Sequence, residues 1–235
     1  MELQPIHHKP LNETVYERIL HAIASGRFLP GTKVTLSGLA KQLGVSLMPV
    51  REALRRLEAE NLVSMKNRRI VIKQYSENEL RELLTIRLHL ESLAAQKAAI
   101  NSTQETTRKL ENLMDQMEKA RGFEAYLEKN RLFHLALYSA AEMPILLDTI
   151  QDLWLRASPY LHIYASEVGD YKNSARAFHE GMLDGMKNNN PKEVKKWLER
   201  DLRKAARDIF RLLRRKERDM DKEKAEVSGR EGLRI

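Results

Sequence analysis

The chain has 235 residues, 42% of them apolar, and no cysteine; that is enough for two domains with real cores, and it excludes a disulfide framework, a Cys-ligated metal and a thiol nucleophile. The net charge is +8, and the first 75 residues carry 12 Lys and Arg against 6 Asp and Glu, leaving only +2 for the other 160. A basic excess confined to one third is the footprint of a nucleic-acid-binding head, although a merely basic surface has the same arithmetic. No apolar run approaches the length of a bilayer span, and the first twenty residues lack the apolar core of a signal peptide, so a cytoplasmic protein with no membrane partner is expected.

Taken in order, Val15, Ile19, Leu20 and Ile23 fall at helical spacing and predict a helix from Leu11 to Ser25, with Asn12 as its cap and Gly26 at its end. Pro30 and Gly31 mark a turn. Two short helices follow, at about 36–43 and 47–60. Gly44 is suited to the left-handed residue between them, Ser46 to the second N-cap, and Pro49 to the second helix's first turn. Two short β-rich runs, 62–65 and 70–72, flank the basic turn Lys66, Asn67, Arg68, Arg69 and read as a hairpin. Helix, helix-turn-helix and basic hairpin together make a winged helix-turn-helix.

From Ser76 onward the pattern is helical throughout, at about 77–100, 104–120, 123–141, 144–166, 170–188 and 191–216, with breaks at Asn101, Gly122, Pro144, Gly169 and Pro191. The fold class is therefore mainly α. A DNA-binding domain over 1–75 with a small hairpin wing precedes an all-helical bundle over 76–216 and a charged, disordered tail over 217–235. Apolar surplus on the long helices predicts a homodimer.

The segments GRFLPG (residues 26–31), Leu39 with Ala40, and PVREALRRLEAENLV (residues 49–63) resemble the GntR family of regulators. Arg87 with Glu91, then Phe133 with His134, and His179 resemble its FadR-like branch with an FCD effector domain. The resemblance covers about 12–210 and implies a transcriptional regulator, repressor or activator, that reads an inverted-repeat operator in double-stranded DNA. The second helix of the motif would enter the major groove and the wing would reach the minor groove. The DNA-contacting candidates are Ser46, Leu47, Met48, Arg51, Arg55, Lys66, Arg68 and Arg69. Arg51 is the candidate for a bidentate guanine contact, or else pairs with Glu52 or Glu58. Of Arg55 and Arg56, one is expected on phosphate and the other packed on its own domain. Leu47 stands where the family usually has arginine, so it can touch a thymine methyl but cannot donate to guanine. Asn67 stands where glycine is common at the wing tip.

The FCD resemblance further implies a divalent metal, held by one aspartate and three histidines, that receives the carboxylate of a small effector acid. On the motif those positions are Asn130, His134, His179 and Asp201, so aspartate and one histidine are replaced by an amide and a carboxylate, and the set still carries one negative charge. Such a set suits zinc, nickel or manganese. The alternative is that these are ordinary satisfied polar side chains. Arg87 could grip the effector carboxylate, or only pair with Glu91. A competing function is a constitutive DNA-binding dimer whose bundle is a scaffold, distinguished by the lack of saturable effector binding. Nothing resembling an activated nucleophile, phosphate loop or HExxH motif supports an enzyme.

Overall fold

A computed structural model describes residues 10–66, 69–167 and 171–232. The chain divides into two compact units, residues up to Glu79 with Leu155–Tyr160, and Leu80–Trp154 with 161–235.

The first unit contains α1 (Leu11–Ala24), β1 (Lys33–Val34), α2 (Leu36–Leu43), α3 (Leu47–Ala59), β2 (Val63–Lys66) and β3 (Arg69–Ile72). The strands form an antiparallel sheet in the order β1-β3-β2. Val15, Ile19 and Ile23 of α1, Val50, Leu54 and Leu57 of α3, and Ile70 and Ile72 of β3 close one core. The hairpin registers Lys66 opposite Arg69. Asn67 and Arg68, together with the Lys66 side chain, lie outside the described residues. Gly44 adopts the left-handed conformation expected of it, at φ 66°. At α1 the expected cap is corrected: Pro10 is the N-cap residue, at φ −54°. Its fixed φ holds the chain extended just before the helix. Asn12 instead accepts a bond from the adjacent Glu13 amide at 2.9 Å.

The second unit contains α4 (Glu77–Ile100, whose first residues belong to the first unit), α5 (Gln104–Lys119), α6 (Phe123–Ser139), α7 (Pro144–Glu167), α8 (Tyr171–Lys187) and α9 (Pro191–Gly232). The expected helices are all found, but α9 continues unbroken through 217–232, where the sequence suggests a disordered tail. That stretch is rich in Glu, Lys and Arg, which form helix without needing apolar anchors. The break expected at Gly169 lies outside the described residues.

Helices α8 and α9 pack closely because α8 presents glycine to α9. A Cβ built on Gly181 would lie 2.4–2.5 Å from the Trp197 ring, and one on Gly185 would lie 2.6 Å from Val194 Cγ2. This approach brings His179 of α8 to Asp201 of α9. Gly181→Ala is therefore expected to destabilise the protein by about 1–2 kcal/mol, because overpacking outweighs the helix-propensity gain of alanine. Chemical denaturation checks it, and unchanged or raised stability would refute the close-packing argument.

Candidate functional site

The helix-turn-helix is built by α2 and α3. Thr35 caps α2, accepting from the Gly38 amide at 3.1 Å. Helix α3 buries Val50, Ala53, Leu54 and Leu57, so its opposite face is free. On that face Met48, Arg51, Glu52 and Arg55 are exposed, and Leu47 is exposed at its edge. Ser46 occupies the N-cap position, but its side chain makes no capping bond.

The structure separates the two neighbouring arginines. Arg56 is committed to its own domain: Nη1 lies 3.0 Å from Glu13, Nε lies 3.2 Å from Glu60, and the guanidinium sits 3.7 Å from the Tyr16 ring centroid. Arg51 and Arg55 form no ion pair among the described residues. Glu58, one alternative partner for Arg51, instead accepts the Met65 amide at 2.7 Å and so ties α3 to the wing strand β2. Arg69 is exposed at the start of β3.

The second site lies inside the helical unit, where His134 from α6, His179 from α8 and Asp201 from α9 converge. His134 Nε2 is 3.4 Å from His179 Nε2 and 3.3 Å from Asp201 Oδ2. The outer side of His134 is held by a relay: its Nδ1 lies 3.1 Å from the Tyr138 hydroxyl, which lies 2.5 Å from Glu91 Oε2. Tyr138 has one proton, and the shorter contact to a carboxylate takes it. The hydroxyl must then accept from His134, which puts the imidazole proton on Nδ1 and leaves Nε2 as a bare lone pair. That lone pair faces a second imidazole nitrogen and a carboxylate. Either a proton on His179 Nε2 or a cation relieves this electron-rich arrangement, and the donor set fits a divalent metal. The carboxylate–tyrosine–histidine relay is the kind of support that fixes a ligand tautomer.

Electrostatics agree with that chemistry. Burial, followed by the neighbouring His134, pushes the His179 pKa down to about 4 against the opposing pull of Asp201, so the ring is a neutral donor at ordinary pH. Burial opposes the ionisation of Asp201, but His134, His179 and Arg87 outweigh it and hold the carboxyl below its usual range. Asn130 is buried one helical turn before His134, and its side chain makes no hydrogen bond among the described residues.

A cavity of about 470 Å³ opens beside these groups. Asn130, His134, Asp201, Arg87 and Trp154 give it polar groups, and Leu84, Leu88, Leu161, Ile209 and Phe210 give it apolar walls. That volume falls in the range of small-molecule sites. Arg87 does pair with Glu91, through Nε at 2.7 Å, while its guanidinium stacks 4.6 Å from the Trp154 ring centroid. Its terminal nitrogens make no other hydrogen bond among the described residues, so pairing with Glu91 does not consume its capacity to bind an anion. Sequence reasoning missed Tyr138 and Trp154, although Tyr138 falls four residues after His134, on the same helix face.

A basic helix-turn-helix head and a separate helical unit with a polar-floored cavity define a DNA-binding transcriptional regulator. The first matches the gntR family of bacterial regulatory proteins over residues 11–71 and the second matches the FCD domain over residues 82–204. The chain belongs to the GntR family, in its FCD-containing branch. It is 35% identical to the HTH-type transcriptional regulator McbR of Escherichia coli K12 over 159 residues, covering 66% of this chain and 72% of McbR. The solved structure of E. coli McbR/YncC superposes with a TM-score of 0.77 at 28% identity, over 88% of this chain and all of that one. A GntR-family regulator from Pseudomonas syringae pv. tomato shares the fold, with a TM-score of 0.57 at 24% identity over 91% of both chains. Family and relatives are regulators of transcription, not enzymes. Among the described residues no helix is long and apolar enough to cross a membrane.

The depressed pKa of His179 carries a pH dependence. The unfolded chain binds a proton on this residue near pH 6.5, the ordinary histidine value, while the folded one resists until about 4. Stability from this group is thus complete above about pH 6.5 and is lost as pH falls toward 4, by an amount on the order of 3 kcal/mol. In chelator-treated protein the thermal midpoint should drop across that window, and His179→Gln should flatten the drop. Parallel curves for the two proteins would refute the assignment.

Proposed function

We propose that this regulator binds an inverted-repeat operator as a homodimer and that a small carboxylate effector, held near a divalent metal in the helical unit, modulates its operator affinity. The observation that carries the effector half is the convergence of His134 Nε2, His179 Nε2 and Asp201 Oδ2 beside a cavity lined by Arg87. In this reading His134, His179 and Asp201 hold the metal, zinc, nickel or manganese, with Asn130 as a weak fourth donor. Bound there, such an ion supplies a positive centre for the effector carboxylate. Arg87 grips the same carboxylate while its Nε stays on Glu91.

At the DNA, Arg51 makes the base contact, Ser46 donates its hydroxyl to a phosphate, and Arg55 with the wing cations Lys66, Arg68 and Arg69 neutralises phosphates. Leu47 and Met48 complete the reading face. The commitment of Arg56 to Glu13, Glu60 and Tyr16 supports giving the phosphate role to Arg55.

Asp201 is the anionic member of the ligand set, so Asp201→Ala should abolish stoichiometric metal. Asn130→Ala should only weaken binding, and Asn130→Asp should tighten it by adding a second charge. Elemental analysis of protein purified without affinity-tag metal measures this. Metal-free wild type with a melting curve insensitive to chelator would end the metal reading and leave DNA binding intact.

Pairing is supported by an apolar stripe on α4. Ile86, Leu93 and Ile100 recur every seven residues on one face and are 40%, 40% and 60% exposed in the single chain. Leu93→Lys should convert the dimer to a monomer at tens of micromolar by sedimentation, and should weaken operator binding with it. An unchanged dimer would move the interface elsewhere.

A further inference from the structure

Two large apolar side chains stand in water at the start of α3, where the fold has no use for them. Met48, 61% exposed, faces away from the core residues Val50, Leu54 and Leu57, and Leu47, at the edge of their stripe in the first turn, is still 47% exposed. A helix turns by about 100° per residue, so Arg51 comes one turn later at about 40° from Leu47 and about 60° from Met48, between the two. The guanidinium of Arg51, free of ion pairs among the described residues, is therefore flanked on both sides by apolar side chains that have no hydrogen-bond donor.

We infer that Leu47 and Met48 determine specificity by packing on thymine C5-methyl groups in base pairs that flank the guanine bound by Arg51. The reading rests on α3 being the helix that enters the major groove. Thymine's methyl is the apolar group that a standard base pair offers there; the other features of each base edge are donors and acceptors. An apolar side chain pressed against those would leave them buried without partners, which is costly. The same contact therefore attracts thymine and rejects other bases. Leucine, with fewer rotatable bonds than methionine, is the stricter reader, while methionine adapts to its neighbours.

The test begins by selecting sites for the full chain from a random duplex pool. In the enriched site each thymine is then replaced singly by deoxyuridine, which removes the methyl and leaves base pairing alone. Wild type should lose about fourfold in affinity at thymines next to the Arg51 guanine, the amount expected for one buried methyl-sized group. Leu47→Ala should bind thymine and uracil forms equally at one of these positions, and Met48→Ala at the other. Leu47→Arg should exchange the thymine preference for guanine. Both side chains are exposed, so the alanine variants should keep the wild-type melting midpoint. Indifference of the wild type to every uracil overturns the inference, as does full discrimination surviving in both alanine variants. Failure to enrich any sequence would overturn the specific-DNA reading as well, so the two failures are distinguishable.

Discussion

The helical unit depends on one buried carboxylate. Glu91 has no solvent exposure and takes bonds from three helices: Arg87 Nε of α4 at 2.7 Å, Tyr138 of α6 at 2.5 Å and Trp154 Nε1 of α7 at 3.0 Å. A charge in this position is tolerable only while its partners remain, and leaving one such charge unpaired costs roughly 3–5 kcal/mol. The three donors are consequently locked, and what they touch is locked with them. Tyr138 fixes the proton on His134. Trp154 and Arg87 stack and form part of the cavity lining. One glutamate thus sets the His134 tautomer and the placement of the Arg87 guanidinium together.

The DNA-binding head solves a different problem, since it must keep its cations available. A helix dense in arginine and glutamate tends to pair its charges along its own surface. Here two of the three acids of α3 and its end are assigned elsewhere: Glu60 serves Tyr16 and Arg56, and Glu58 serves the Met65 amide. These bonds fasten α3 to α1 and to the wing, and in doing so they withdraw the acids from Arg51 and Arg55. The same contacts that hold the reading helix in place also leave its outer face positive.

Much of this was legible in the sequence. The spans of α2 and α4 matched expectation because each is bounded by a strong local signal, Gly44 after α2 and, before α4, Ser76, which exchanges hydrogen bonds with Glu79. Strand β1 was not legible. It has two residues, and it exists because Lys33 and Val34 pair with Val71 and Ile70 of β3, a contact made far along the chain. The cap of α1 was misassigned because Asn12 has the right chemistry but Pro10 has the controlling geometry. The site residues of the helical unit were named through resemblance alone; three ligands on three helices leave no local pattern. The relay behind His134 was invisible for the same reason, since Glu91, Tyr138 and Trp154 meet only once the helices pack.

Charge balance explains why the exchanged ligands need not disable the site. Arg87 and Glu91 neutralise each other, so Asp201 leaves the immediate site with one net negative charge whether the carboxylate stands on α6 or on α9. On the proposed reading, a divalent ion reverses this to one net positive charge in a cavity with apolar walls. A single effector carboxylate then restores neutrality, and a neutral or doubly charged ligand does not. Because burial makes uncompensated charge expensive, metal and monocarboxylate each raise the other's affinity, and linkage requires the two enhancements to be equal. The place of Asp201 adds a further constraint. It sits on the helix whose approach to α8 depends on Gly181, so on the same reading a metal held between His179 and Asp201 acts on the α8–α9 contact, and a response to effector would be carried by that pair.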